Sequence, residues 1–288
     1  KTSIFNNSKN YSPKLTINER INKTEYISKV KQLKDHIQRG DIYEVNFCKE
    51  FFSYGNIDPL KSFLDLQSIS KPPFSVYFKN DFLYLLSASP ERYLKKQGDL
   101  IVSQPIKGTA RRSSNIAEDK KLREELFNSP KERSENVMIV DLVRNDLSRI
   151  ATKGSVEVEE LYQTYSFEQV HHLISTVKAV KRAEVSALEV ITKSFPMGSM
   201  TGAPKISAMK IIERLEKTKR GLYSGAVGYF SPDNNFDFNV VIRSILYNAQ
   251  NSYVSFSVGS AITIDSDPIK EYEECLVKAE AMRSVLEN

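Results

Sequence analysis

Between residues 74 and 104 the chain passes through four β-type segments, at 74–79, 82–87, 92–96 and 100–104, rich in Phe, Tyr, Leu, Val and Ile. The links Asn80-Asp81 and Gln97 to Asp99 are far shorter than the dozen or so residues a parallel crossover needs, so neighbouring segments must pair antiparallel. Segments 42–52, 224–230, 236–248 and 253–258 share this character, and the last three read as a second antiparallel meander. Helical spacing fills the intervals. Ile27, Val30, Leu33 and Ile37 precede Gly40, and Pro59 opens a piece at 59–69. Further helices are expected at about 132–147, on both sides of Met197 to Lys205, and at about 268–286. Strands and helices in runs, without strict alternation, predict an α+β fold: an α/β sandwich of two large antiparallel sheets packed face to face with helices outside. Residues 1–23 are polar and rich in Asn, Lys and Ser, which predicts a tail or linker, leaving 24–288 as one domain. The charged stretch 113–131 reads as a connection into the helix that follows.

Composition narrows the classes of function. With 288 residues, 40% of them hydrophobic and 27% charged, the chain has ample material for a core. The net charge of +5 is dispersed, which argues against a nucleic-acid binder. No apolar run approaches the roughly 20 residues of a membrane helix, so no membrane association is expected. The cysteines, Cys48 and Cys275, lack metal-type spacing, which excludes a zinc module or disulfide scaffold and favours a reducing, cytoplasmic setting.

Several residues are candidates for chemistry. The loop from Phe195 to Lys205 contains Gly198 and Gly202 and opens a helix whose free N–H groups, with Lys205, offer an anion a seat; a plain helix–helix turn is the competing reading. Glu132 and Glu135 lie one helical turn apart, as do Glu271, Glu274 and Lys278 on the last helix. Such ridges are commonly solvated, but two that converge hold a hard divalent cation, because magnesium takes a few carboxylates plus water and substrate oxygens. Asp141, Arg144, Asn145 and Asp146 sit in an otherwise apolar helix and are expected to form a buried ion-pair network. Lys107 follows a strand end and is either an exposed cation or, in an apolar pocket, a nucleophile. Glu91 stands where a carboxylate serves as general acid or base, and His171 and His172 face opposite ways.

Taken together, these segments resemble the chorismate-utilising enzymes, a family that includes anthranilate, aminodeoxychorismate, isochorismate and salicylate synthases, over about residues 30–286. The resemblance is carried by Ala88-Ser89-Pro90-Glu91-Arg92, by SENVMIVDLVRND at 134–146, by 194–205, by YSGAVGY at 223–229 and by Asp265-Ser266-Asp267-Pro268. It implies magnesium held by Glu135 and Glu274, with Glu132 contacting the ion through water, and chorismate as substrate. The ring carboxylate of chorismate would lie near the ion and Gly202, and the enolpyruvyl carboxylate near Tyr223, Arg243 and Lys278, with backbone approach at Gly259. Water-using members carry a lysine where this chain has Glu44, and ammonia-using members more often carry Gln. The turn Pro105-Ile106-Lys107-Gly108-Thr109 resembles the aminodeoxychorismate synthase branch, in which the lysine forms a covalent intermediate. Glu91 corresponds to the general acid–base and His172 to the histidine beside the departing hydroxyl.

The resemblance therefore implies amination of chorismate at C4, on the folate route, with ammonia supplied by a separate glutamine amidotransferase subunit. Anthranilate synthase is the first alternative, isochorismate or salicylate synthase a weaker one, and a non-catalytic binding subunit of the same fold the non-enzyme alternative. Free lysine is almost wholly protonated at neutral pH, so the pocket is expected either to lower the pKa of Lys107, by desolvation or a nearby cation, or to place Glu91 to take its proton.

Overall fold

The computed structural model describes residues 14–168 and 170–288. In chain order the elements are β1 (Asn18–Glu19), α1 (Lys23–Gln38), β2 (Glu44–Tyr54), α2 (Pro59–Ser70), β3 (Phe74–Asn80), β4 (Leu83–Ser89), β5 (Arg92–Gln97), β6 (Leu100–Gln104) and β7 (Ile106–Arg111). There follow α3 (Ile116–Asn128), α4 (Pro130–Ser148), β8 (Glu157–Ser166), β9 (Val170–Val180), α5 (Ala187–Ser194), β10 (Gly202–Ala203) and α6 (Lys205–Leu215). The chain closes with β11 (Ala226–Phe230), β12 (Phe236–Val240), β13 (Ser244–Asn248), β14 (Tyr253–Ile262) and α7 (Pro268–Glu287).

The strands form two seven-stranded antiparallel sheets, the α+β arrangement expected from the short links. The first runs β1-β2-β14-β13-β4-β3, with β10 also on β2; the second runs β11-β12-β5-β6-β9-β7, with β8 also on β9. β2 and β14 pair over ten residues, from Tyr253 opposite Tyr54 to Ile262 opposite Val45. Both are buried along most of their length, as central strands covered on two faces must be. One apolar cluster gathers Phe47, Phe51, Phe256 and Ile262 with Tyr26, Leu33, Cys275 and Met282 from α1 and α7. A second joins Leu94, Ile101 and Val177 of the other sheet to Ile139 and Val143 of α4 and Val190 of α5. Among the described residues no helix is long and apolar enough to cross a membrane.

Of the four connections that switch between the sheets, two run from strand to strand with no helix between, and both shape the site. β4 belongs to the first sheet and β5 to the second, so Pro90 and Glu91 form the crossing point. β12 and β13 are likewise split, with Val241 to Arg243 between them. The crossings lie side by side: Val240 N–H donates to the Glu91 carbonyl at 3.0 Å, and Ala88 N–H to the Arg243 carbonyl at 3.1 Å. The expected single segment at 236–248 is therefore two strands in different sheets, and Arg243 makes the turn at φ +51°, a left-handed conformation costly for a side chain with a Cβ.

Other expectations need correction. Residues 1–13 of the expected tail lie outside the described residues, but Leu15, Ile17 and Ile21 are buried, and β1 extends the first sheet against Phe51 and Phe52. The charged stretch at 113–131 contains α3, capped by Asn115, whose side chain accepts from Ala117 and Glu118 N–H. The buried network expected on α4 reduces to Asp146, since Asp141, Arg144 and Asn145 are exposed. Asp146 pairs with Lys205 at 2.5 Å, so the lysine thought to charge an anion seat is already neutralised. Lys205→Met leaves a buried carboxylate without its cation and should cost about 3–5 kcal/mol. Urea denaturation is expected to show this loss shrinking as the pH falls and Asp146 takes up a proton.

Candidate active site

Lys107 stands at the centre of the site because its strand is bulged. β7 pairs with β9 at Ile106–Ile174 and again at Thr109–His172, with a register shift between. Gly108 in the bulge has φ +89°, where a Cβ would meet Glu132 Oε2 at 3.0 Å. Glycine is thus required both by the backbone and by the carboxylate beside it. The Lys107 side chain is 10% exposed; its Nζ donates to Glu44 Oε1 at 2.7 Å and lies 3.8 Å from Glu135 Oε2.

The electrostatics differ from the expectation that burial or a neighbouring cation would lower the pKa of Lys107. Desolvation does push it down, but Glu44, Glu135 and Glu274 outweigh this and hold it above the ordinary lysine value. Glu44 is the partner that sequence reasoning left without a role. It begins β2, is 1% exposed, and its Oε2 is buried without a hydrogen-bond partner. Only the tertiary meeting of β2 with β7 reveals that contact.

The acidic ridges of α4 and α7 do converge. Lys131 lies 3.8 Å from Glu135 and 3.6 Å from Glu271, and Glu132 feels the charge of Glu274. Burial raises Glu135 to about 7, with Glu44 and Glu132 adding to the effect against Lys107 and Lys131. Burial also acts to raise Glu274, but Lys278 at 2.6 Å, with Lys131 and Lys107, holds it below the ordinary carboxylate value. Among the described residues no three His, Cys, Asp or Glu side chains form a ready-made metal cage. Glu135 Oε1, however, is buried with no hydrogen-bond partner, in a cluster of carboxylates it cannot comfortably share. That donor set suits a cation completed by water and substrate oxygens, the habit of magnesium.

Glu91, at its sheet crossing, is 6% exposed. Burial raises it to about 7, opposed by a hydrogen bond from Ser199, the charge of Lys107, the Ile106 N–H and the charge of Lys278. Such a carboxyl is poised to give or take a proton near neutrality. His172 lies on β9 with Nδ1 2.9 Å from Thr109 Oγ1, and burial lowers it to about 4, so it is neutral at pH 7. His171 points away, to Ser166 and Asp119.

Arg243, at the second crossing, and Lys278, on α7, are joined through backbone carbonyls. Arg243 Nη1 donates to the Lys278 carbonyl at 3.2 Å, and Lys278 Nζ donates to the Gly259 carbonyl at 2.8 Å. Tyr223 is buried with its phenol accepting from Cys48 Sγ at 3.7 Å. The two glycines serve packing first. At Gly202, φ +149°, a Cβ would meet the Glu44 carbonyl at 2.2 Å; at Gly259 it would meet Asn46 Oδ1 at 2.5 Å and Cys48 Sγ at 2.6 Å.

Comparison with known proteins agrees with this fold. The chain is 39% identical over 269 residues to aminodeoxychorismate synthase component 1 of Klebsiella aerogenes, covering 93% of this chain and 59% of that protein. It is 37% identical over 268 residues to anthranilate synthase component 1 of Saccharolobus solfataricus, covering 93% of this chain and 63% of that protein. The crystal structure of anthranilate synthase component I from Streptococcus pneumoniae superimposes with a TM-score of 0.86 at 29% identity, over 96% of this chain and 61% of that one. This chain therefore spans about three-fifths of these relatives. A family model described as chorismate binding enzyme matches residues 3–284, and the chain belongs to that family.

Proposed function

We propose that this chain carries the chorismate-transforming centre of an aminodeoxychorismate synthase, converting chorismate and ammonia to 4-amino-4-deoxychorismate with the enolpyruvyl group retained. The observation that carries the reading is Lys107, presented by the β7 bulge into a closed site beside Glu44 and Glu135 and within the field of Glu91.

Lys107 Nζ attacks C2 of the ring as the C4–O bond breaks, and Glu91 protonates the departing hydroxyl, which leaves as water. Ammonia then forms the C4–N bond while the C2–Nζ bond breaks and returns its electron pair to Lys107. Because the lysine begins as an ammonium, its proton must be taken up as the first bond forms; Glu44, at 2.7 Å, is in contact to accept it. Neutral His172 stands at the departing hydroxyl. Arg243, Lys278 and Tyr223 receive the enolpyruvyl carboxylate, with Gly259 and Gly202 shaping the walls beside them. Glu135 and Glu274, with Glu132 beside them, would hold magnesium, which would supply a positive charge for the ring carboxylate.

Ammonia comes from a separate glutamine amidotransferase subunit. Cys48 and Cys275, which a glutaminase would need as nucleophile, are both buried, and the two relatives above bear the designation component 1. Water as nucleophile is disfavoured, since Glu44 occupies the position of the water-activating lysine and is engaged by Lys107.

Anthranilate formation is the second reading, favoured by the Saccharolobus relative and the Streptococcus structure. Incubation with chorismate, magnesium and an ammonium salt, followed by chromatographic product analysis, separates the two. The expected product is 4-amino-4-deoxychorismate without pyruvate release; fluorescent anthranilate with stoichiometric pyruvate would overturn the assignment.

A further inference from the structure

The turn between α5 and α6 is held from outside by an arginine that has so far had no role. Arg220 lies on the irregular stretch after α6; its Nη1 donates to the Met200 carbonyl at 2.5 Å and its Nη2 to the Asn46 carbonyl of β2 at 2.9 Å. Glu216 fixes the guanidinium, accepting from Nε at 2.9 Å and from Nη2 at 2.7 Å, and also accepts from the Cys48 N–H of β2 at 2.9 Å. The Arg220 and Glu216 side chains are 14% and 7% exposed, so this is a largely buried, fully engaged pair. Asn46 completes the brace: Nδ2 donates to the Ser199 carbonyl at 3.1 Å, and its backbone N–H to the Thr201 carbonyl at 2.8 Å.

Three consecutive carbonyls, of Ser199, Met200 and Thr201, are thus captured by β2 or by Arg220. Buried carbonyls need donors, and a planar fork reaching two backbones at once is a task for arginine that lysine cannot perform. The tied segment and Glu91 line one cavity, with Gly198 and Ser199 on the segment's side, and the Ser199 hydroxyl acts to lower the Glu91 pKa. We propose that Arg220 is a positioning residue for proton transfer: by tying the Met200 carbonyl to β2, it holds the Ser199 hydroxyl against Glu91.

The charged groups that face Glu91 are Lys107 from β7 and Lys278 from α7, with the Ile106 N–H also directed at it. Arg220 is not among them, so its influence must pass through the segment it holds. The proposal rests on the reading of Glu91 as the acid–base group, but its test does not require that reading. Glu91 is titrated in the substrate-free chain by difference infrared spectroscopy of its carboxyl band, with Glu91→Gln as blank.

The wild-type midpoint is expected near 7. A hydroxyl donated to a carboxylate favours its ionised form, so Ser199→Ala should move the midpoint up by roughly one pH unit. Arg220→Lys keeps the charge and loses the fork; it should move the midpoint in the same direction, and Ser199→Ala/Arg220→Lys should move it no further than Ser199→Ala. The corresponding limb of the kcat profile should follow, with KM for chorismate changing less. Asn46→Ala, which releases the Ser199 carbonyl, serves as the second probe if the arginine variant does not fold, and should reproduce the shift. The proposal is overturned if Ser199→Ala leaves the midpoint in place, if Arg220→Lys (or Asn46→Ala in its stead) does so, or if the effects of Ser199→Ala and Arg220→Lys add. A midpoint that behaves as expected in a protein that does not form 4-amino-4-deoxychorismate would remove the functional reading and leave the positioning role intact.

Discussion

Lys107→Ala is expected to lower turnover of chorismate by a factor on the order of a thousand or more while KM changes only a few-fold. The asymmetry follows from the geometry. Lys107 hydrogen-bonds Glu44 and lies beside Glu135, whereas Arg243, Lys278 and Tyr223 are the groups proposed to receive the substrate's side-chain carboxylate. On the proposed mechanism, removing the amine abolishes the covalent route and leaves the groups assigned to the substrate's carboxylates in place. The same substitution also deprives Glu44 and Glu135 of a shared cation, so the variant should be destabilised at neutral pH and recover as Glu135 is protonated. Steady-state kinetics with ammonium as the nitrogen donor check the first effect, and thermal unfolding across pH the second. Equal kcat in variant and wild type would make Lys107 a bystander.

Glu135→Gln is expected to weaken magnesium binding by roughly a hundredfold or more, measured by calorimetry on the substrate-free chain. Glu135 has a buried oxygen with no hydrogen-bond partner, and burial, with Glu44 and Glu132 adding to it, raises its pKa to about 7. A carboxylate so crowded gains by sharing a divalent cation, and an amide does not. Lys131, which spans Glu135 and Glu271 at 3.8 and 3.6 Å, competes for the same ground from an exposed position, its side chain being 47% exposed. Activity of the variant should recover partly at raised magnesium. Unchanged affinity would move the metal away from this helix pair.

The antiparallel sheets were legible because short links leave the chain no other way to pair its strands, and the helices because their apolar residues recur at helical spacing. What escaped the sequence has physical causes. Leu15 and Ile17 alternate with polar neighbours, a strand signal masked by the Asn- and Lys-rich composition around it. β8 carries Glu157, Glu159 and Glu160 and is only half-buried, with register shifts against β9, so its pattern lacks clean alternation. α3 buries only Leu126, and its charge hid its helicity. The switch between sheets at Val241 to Arg243 contains no glycine or proline, and Arg243 adopts its left-handed turn under tertiary constraint that no local rule announces.

The site was legible in the same uneven way. Lys107, Glu91, Glu135, Glu274 and His172 stand in motifs that keep their order along the chain. The electrostatic state of Lys107 was not legible, because Ile101 and Ile106 are its neighbours in sequence while the charges that decide it come from Glu44 on β2, Glu135 on α4 and Glu274 on α7. Arg220 was invisible for a similar reason, since its work is done on backbone carbonyls of segments distant in the chain.

The covalent intermediate offers the most direct test of the account. Wild-type protein is mixed with chorismate and magnesium in the absence of ammonia, quenched in acid, digested and analysed by mass spectrometry. The account predicts an adduct on Lys107 with the mass of chorismate less one water, removed when ammonia is added before the quench and absent from Lys107→Ala. No adduct on Lys107 under conditions where ammonia supports full turnover would contradict it.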